Sequence, residues 1–206
     1  MPSYNWLIDP VNLIQQFEAR HNSSAAGALF AWAVWAVDSL HYLDDLDQAF
    51  DVSHVPLADH RPDVVDVAHA RWATGTSITS LDLCAAGLGR AFCAHNGMYE
   101  LDLGDFDPAA SKSGPIVARR THLPPDAQQW IDRVLADPQY IEAKSARDWL
   151  THSRLRRHFF LSIGGPPQRL TLEFGTTQLP VRGLIELARD LATRHVSDFL
   201  QLLPQL

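Results

Sequence analysis

Cysteine is scarce in this chain, which has only Cys84 and Cys93, both within one predicted helix. Nine residues of helix rise roughly 13 Å, which is too far for a disulfide to bridge. A disulfide-held scaffold is therefore excluded, and no Cys-x-x-Cys pair suggests a zinc site. Because no secretory signal is recognisable either, we expect the protein to reside in the reducing cytoplasm.

Long apolar runs and positive charge are also scarce. The longest apolar run extends from Ala25 to Val37, which is too short to cross a bilayer and predicts a buried helix, so we expect no membrane association. The 17 Lys and Arg residues are outnumbered by 24 Asp and Glu, for a net charge of −7. This balance argues against a protein that coats nucleic acid indiscriminately, although a local basic patch could still grip a few phosphates.

Several familiar catalytic motifs are missing. The glycine-rich segment Gly164–Pro167 lacks the lysine and the helix that follow in a phosphate-binding loop. No Gly-x-Ser-x-Gly sequence is present, which excludes the nucleophile elbow of the α/β-hydrolases. We therefore predict no cofactor.

The residues that are present predict a helical protein. With 206 residues, of which 46% are hydrophobic and 20% charged, the chain is expected to form a single globular domain over residues 1–206. Apolar periodicity and capping residues predict a mainly α bundle of five or six helices. These begin at Asp9-Pro10, run over Ser24–Phe50, Asp63–Ala94 and Pro125–Ala136, begin again at Asp137-Pro138, and end with Val181–Leu202.

Two segments do not fit this helical pattern. Residues 159–174 place apolar segments, Phe159–Ile163 and Arg169–Phe174, on either side of Gly164–Pro167, which predicts a small β-hairpin. Residues 96–124 contain scattered glycine and proline and predict a long loop. We expect both segments to be insertions in the helical domain.

The helix predicted over Asp63–Ala94 is rich in small residues, first over Ala73–Ser77 and again over Ala85–Gly89. An interior glycine costs a helix about 0.5–1 kcal/mol relative to alanine, so another contact must offset it. Close packing by a second helix would do so, either within one chain or between two copies.

The candidate functional motif is Arg147-Asp148-Trp149-Leu150-Thr151-His152, which lies in a predicted helix and leads into a basic cluster. A fixed cation near a residue that exchanges protons around neutral pH is suited to phosphodiester cleavage. The same pattern recurs at Arg189-Asp190 and His195, where apolar periodicity that continues on both sides favours the ordinary surface of an amphipathic helix, with a structural role. Five residues of helix turn through roughly 140°, so Arg147 and His152 do not share one stripe.

The segment Ser145–Arg154 resembles the motif of the HEPN superfamily of small all-α domains: an arginine, a polar residue, a short spacer and a histidine on a late helix. The order of long helices, shorter helices, motif helix and final helix is similar as well. Asp148 stands where asparagine is commoner in that family. The resemblance in the motif covers about ten residues, and the resemblance in layout covers most of the chain.

This resemblance implies a metal-independent ribonuclease that acts as a homodimer, with the two motifs meeting at one interface. His152 would be the acid or base, Arg147 would hold the phosphate and stabilise its developing charge, and Asp148 would orient its neighbours. RNA backbone contacts are expected from the basic cluster, which consists of Arg154, Arg156, Arg157 and His158.

Two other functions stay open. Asp38 with His41 and Asp66 with His69 are matching i, i+3 pairs, which could place a carboxylate and an imidazole on one helical face, as in di-iron bundles. Alternatively, the chain is a helical interaction or dimerisation protein without chemistry. An antitoxin or another regulatory protein would be a natural partner of a ribonuclease of this kind.

Overall fold

The structure is a computed structural model that describes residues 24–53, 62–93, 102–109, 120–152, 171–174, 177–203 and 205–206. In these ranges it contains five α-helices, a short 3-10 helix at Leu103–Phe106 and one two-stranded antiparallel sheet. The helices are α1 (Ser24–Ser53), α2 (Pro62–Cys93), α3 (Pro125–Ala136), α4 (Pro138–His152) and α5 (Val181–Leu202), and the strands are β1 (Thr171–Phe174) and β2 (Thr177–Pro180). The predicted helical bundle with a small hairpin is confirmed. The helix expected after Asp9-Pro10 lies outside the described residues.

Helix α2 lies at the centre of the bundle, in contact with α1, α4 and α5. Its apolar side chains Ile78, Leu81 and Leu88 are fully buried, and they recur at helical spacing along one side of the helix. Helix α5 is amphipathic and buries one long stripe that ends at Leu202. Trp130 of α3 joins this core, packing its ring against Phe199 and donating a hydrogen bond to the carbonyl of His195 at 3.0 Å.

The small residues of α2 allow close packing within the chain. Ala73, Thr74, Ser77 and Ser80 have no accessible surface. Thr74 and Ser80 donate hydrogen bonds to carbonyls of their own helix, at 2.8 Å to Ala70 and 2.7 Å to Ser77, so these hydroxyls can be buried without a cross-helix partner. Of the two explanations that the sequence left open, packing within one chain and packing between two copies, the structure shows the first.

Cys84 and Cys93 are both buried on α2 and are not joined by a disulfide, as predicted. Burial raises the pKa of the Cys84 thiol far above its ordinary value, and the nearby Asp82 carboxyl acts in the same direction. Cys84 is therefore a small apolar core residue and not a nucleophile.

The hairpin pairs different segments from those predicted. Strand β1 falls within the predicted segment 169–174, but its partner is β2, with Thr171 opposite Pro180 and Phe174 opposite Thr177. Two residues join these strands, a connection length that favours a tight hairpin over the longer link through Gly164–Pro167. The other predicted strand, 159–163, lies outside the described residues.

The predicted loop over residues 96–124 contains an ordered segment. Asp102 and Asp105 cap the 3-10 helix reciprocally, each carboxylate accepting a backbone N–H of the other residue at 3.0–3.1 Å. Leu103 and Phe106 are buried, and the Leu103 N–H donates to Asp82 Oδ1 of α2 at 3.1 Å. This part of the segment is therefore packed against the bundle.

None of the helices in the described ranges combines the length and the apolarity that crossing a membrane requires.

Candidate functional site

An open groove of about 600 Å³ lies where α1, α2 and α4 meet. All three helices contribute charged or aromatic side chains to its lining. These are Asp38 and Tyr42 of α1, Arg71 and Trp72 of α2, and Arg147 of α4. Hydroxyl side chains complete the walls, from Ser39, Thr76, Thr79 and Thr151. We call this feature the Arg147 groove.

Helical spacing places these side chains on the groove walls. Asp38 and Tyr42 are four residues apart on α1, and Arg147 and Thr151 are four apart on α4, so each pair shares one helical face. On α2 the stripe from Trp72 through Gly75 to Thr79 faces the groove. A Cβ added at Gly75 would meet no atom within 4 Å, so this position is open to the groove.

Arg147, in the wall of the groove, forms an ion pair with its sequence neighbour Asp148. Its Nε and Nη2 atoms donate to Asp148 Oδ1 at 3.0 and 2.8 Å. The guanidinium is about one-third exposed and the carboxylate about half exposed, so solvent weakens this ion pair. The Asp148 carboxylate thus contacts the edge of the guanidinium formed by Nε and Nη2.

A partly buried acidic group on α2, Asp82, interacts electrostatically with Arg147 and Lys144 of α4. Burial raises the pKa of the Asp82 carboxyl to about 6, and Asp102 adds to this increase, whereas Arg147 and Lys144 oppose it. Burial and the Asp82 charge also raise the pKa of Tyr140. Arg147 therefore lines the groove and also acts electrostatically on Asp82 and Tyr140.

His152 does not line the groove in which Arg147 lies. It is the last residue of α4, is exposed, and is not among the residues that line the groove, whereas Arg147 and Thr151 are. One copy of the chain thus does not bring Arg147 and His152 together in the groove. The predicted RNA-contacting residues Arg154, Arg156, Arg157 and His158 lie outside the described residues.

The second match to the motif is structural, as the sequence indicated. Arg189 Nη1 donates to Asp47 Oδ2 of α1 at 2.7 Å, which ties α5 to α1. His195, which the sequence placed on a helix surface, is instead buried, and its Nε2 atom lies 2.8 Å from Asp137 Oδ2. Burial lowers the pKa of His195 despite the opposing effect of Asp137.

The residues of the alternative metal site are differently placed. Asp38 and His41 are exposed on α1, whereas His69 is buried on α2 with its ring edge-on to Trp72, the two centroids 6.2 Å apart. Helix α2 includes Asp66, but the position of its side chain lies outside what is described. Within the described ranges, no group of three or more His, Cys, Asp or Glu residues is arranged to hold a metal ion.

Sequence reasoning did not single out Tyr42, Arg71, Trp72 or Gly75 as site residues. The available signal was weak, because an aromatic residue on a long helix normally belongs to the core. Trp72 and Tyr42 are instead about half exposed, at 52% and 46%. Only the packing of α1 against α2 shows which side of each helix is left open.

Comparison of the chain with protein-family profiles, with curated proteins and with solved structures found no match. The resemblance to the HEPN superfamily therefore stays a prediction that rests on the motif and on the order of the helices.

Proposed function

We propose that the protein is a HEPN-like, metal-independent endoribonuclease that acts as a homodimer and uses Arg147 and His152. One observation carries this proposal: Arg147 lies on the wall of an open groove that also holds Arg71 and two half-exposed aromatic rings. Cations beside exposed aromatic rings are what a single-stranded nucleic acid requires, since the cations bind phosphates and the rings stack with bases.

The chemistry assigns one task to each residue. The RNA 2′-oxygen attacks the adjacent phosphorus and loses its proton, the bond from phosphorus to the 5′-oxygen breaks, and that oxygen gains a proton. His152 accepts or donates these protons, since an imidazole titrates near neutral pH. Arg147 binds the non-bridging oxygens and stabilises their developing charge, while Asp148 orients the guanidinium.

Two copies of the chain would complete the site. Arg147 lines the groove, whereas His152 lies at the exposed end of α4. In the proposed homodimer, His152 of one copy acts on a phosphate held by Arg147 of the other. The basic cluster that follows α4 in sequence would contact the RNA on either side.

The test is RNA cleavage by the purified protein in EDTA, compared with Arg147→Ala and His152→Ala. We expect 2′,3′-cyclic phosphate ends from the unaltered protein and at least a 100-fold loss in each variant, the usual scale for a lost acid–base or charge-stabilising group. Arg133→Ala is the matched control, because Arg133 is an exposed arginine of α3, a helix that contributes nothing to the groove. Equal cleavage by all of these proteins would contradict the proposal.

The second candidate is a non-catalytic interaction protein. It is favoured by the ion pair between Arg147 and Asp148 and by the large exposed side chains Trp35, Tyr42 and Trp72, which are typical of protein-binding surfaces. An antitoxin or another regulatory protein would then occupy this surface. No RNA cleavage, together with complex formation that Trp72→Ala abolishes, would establish this function instead.

A further inference from the structure

We propose that the Arg147 groove binds one base of a single-stranded RNA between Trp72 and Tyr42, holds the flanking phosphates with Arg71 and Arg147, and selects guanine through Asp38. The inference rests on the proposed function in one respect, namely that the bound strand is also the substrate. Binding and base selection are measurable without cleavage.

The aromatic rings of the groove come from two different helices. Trp72 belongs to α2 and Tyr42 to α1, and both line the same groove with about half of their surface exposed. The indole of Trp72 also makes an edge-on contact with the buried His69. Exposed rings in the lining of one groove suit a planar base, because every base has a face that stacks.

The two arginines of the groove favour an occupant that carries phosphates. Arg71 and Arg147 bring two cations to its walls, where Asp38 is the carboxylate, and Asp148, which is not a lining residue, pairs with Nε and Nη2 of Arg147. The whole chain carries a net charge of −7, so its long-range field does not attract RNA. Binding must then depend on these local cations, and an arginine binds phosphate in a bidentate geometry.

The carboxylate in the groove provides base selection. Asp38 lies one helical turn before Tyr42 on the same face of α1, so a base stacked on Tyr42 lies beside it. An ionised carboxylate only accepts hydrogen bonds. Guanine offers two adjacent donors, N1–H and the N2 amino group, whereas adenine presents an acceptor at N1 and uracil flanks its single donor with two carbonyl oxygens. Guanine is therefore the best match to Asp38.

The groove has room for this ligand. Its volume of about 600 Å³ falls within the range of about 300–1,000 Å³ that is typical of small-molecule sites. Gly75 lies on the α2 wall between Trp72 and Thr79, and no atom occupies the space where its Cβ would be. A side chain at this position would project into the groove without clashing with the bundle.

The test is fluorescence anisotropy with a labelled ten-nucleotide RNA of uridines and one central guanosine, in which 2′-O-methyl groups prevent cleavage. We expect Trp72→Ala to weaken binding about 5- to 150-fold, which corresponds to the loss of one stacked base. Trp72→Phe should recover most of the affinity. Ile141→Ala should have no effect, because it removes a large exposed side chain, 55% accessible, that does not line the groove.

Base selection is tested with four RNAs that differ only at the central base. The unaltered protein should bind the guanosine RNA at least 10-fold more tightly than the adenosine RNA. Asp38→Asn should abolish this difference by introducing an amide donor. Equal affinity of the unaltered protein for all four RNAs would overturn the selection of guanine.

A glycine variant separates groove occupancy from folding. Gly75→Leu should keep the helical circular dichroism spectrum and thermal stability but lose RNA binding, because its side chain fills the groove. Gly75→Ala is the control, which should bind nearly as well as the unaltered protein. If Gly75→Leu binds RNA normally, the strand lies elsewhere and the inference is wrong.

The results distinguish this inference from the proposed function. Binding that depends on Trp72 and Asp38, without cleavage of an unmodified RNA, supports the groove as an RNA site and contradicts the ribonuclease. Cleavage that depends on Arg147 but not on Trp72 supports the ribonuclease and overturns the groove inference. If Trp72→Ala converts a dimer to a monomer in sedimentation, a second copy occupies the groove and the inference is also wrong.

Discussion

Asp82 illustrates, at the scale of one residue, how the fold sets the chemistry of a side chain. The residue lies on α2, beneath the 3-10 helix, and its carboxylate accepts the Leu103 N–H. Burial disfavours the ionised form by more than this hydrogen bond and the charges of Arg147 and Lys144 favour it, so the pKa of Asp82 rises from 3.8 to about 6. The folded protein therefore binds a proton at Asp82 more tightly than the unfolded chain does.

We expect this group to make the protein less stable as the pH rises from about 4 to 6. The stability that Asp82 contributes by binding a proton is fully present below pH 3.8 and is lost as the pH rises through about 6. Above that pH, Asp82 causes no further change in stability. Asp82→Asn, which keeps an acceptor for Leu103, should match the unaltered protein near pH 4 and exceed it above pH 6. Urea unfolding across this range measures the difference. A difference that does not vary with pH would contradict the assignment.

Gly75 and Gly104 are expected to respond differently to substitution by alanine. A Cβ at Gly75 meets nothing within 4 Å, so Gly75→Ala should raise the free energy of unfolding by about 0.5–1 kcal/mol through helix propensity alone. A Cβ at Gly104 would lie 3.1 Å from Asp102 Oδ1, the atom that caps the 3-10 helix, so Gly104→Ala should stabilise less or destabilise. Urea denaturation of the two variants tests this, and equal shifts in both would be inconsistent with it.

At the scale of helices, ion pairs of Asp47 link α1 to α5, two helices far apart in the sequence. This residue of α1 is 14% exposed and pairs with Arg182 at 2.8 Å and Arg189 at 2.7 Å, both on α5. The three charges share a partly dry interface, where a paired carboxylate is worth more than on the surface. The pairing explains why the arginine of the second sequence motif serves the fold.

Removing Asp47 should therefore cost stability, whereas removing a neighbouring surface acid should not. We expect Asp47→Ala to lower the free energy of unfolding by about 1–3 kcal/mol, allowing for the partial exposure of both arginines. Asp190→Ala should change it by less than about 0.5 kcal/mol, since Asp190 is 62% exposed and its nearest contact to Arg189 is 3.4 Å. Chemical denaturation measures both values. Similar losses of stability in the two variants would contradict the prediction that Asp47 stabilises the contact between α1 and α5 more than a surface acid does.

The helices themselves were predictable, because local signals determine where they start and end. Pro125 and Pro138 stand in the first turns of α3 and α4, and the predicted span of α5, Val181–Leu202, matches the structure. The hairpin was only partly predictable, since two glycine-containing connections competed and both could have formed a turn. Hydrophobic runs identify a strand but not its partner.

At the scale of the whole molecule, the groove was not predictable from the sequence. Trp72 and Tyr42 occur at spacings that also suit a buried face, and only the way α2 is covered by α1, α4 and α5 leaves this side open. The motif was visible, but the sequence could not show that Arg147 lines a groove while His152 lies at a helix end. These facts depend on contacts between residues far apart in the chain.

The separation of Arg147 from His152 leads to a prediction about the assembly. If each site combines Arg147 of one copy with His152 of the other, the variants Arg147→Ala and His152→Ala are each inactive alone but complement one another. In an equal mixture about half of the dimers contain both variants, and each of these restores one of two symmetric sites, so RNA cleavage should return to about a quarter of the unaltered activity. Mixing either variant with Arg147→Ala/His152→Ala should restore none. If the equal mixture stays inactive although sedimentation shows that the copies exchange, each site takes Arg147 and His152 from the same copy, and the shared-site dimer is wrong.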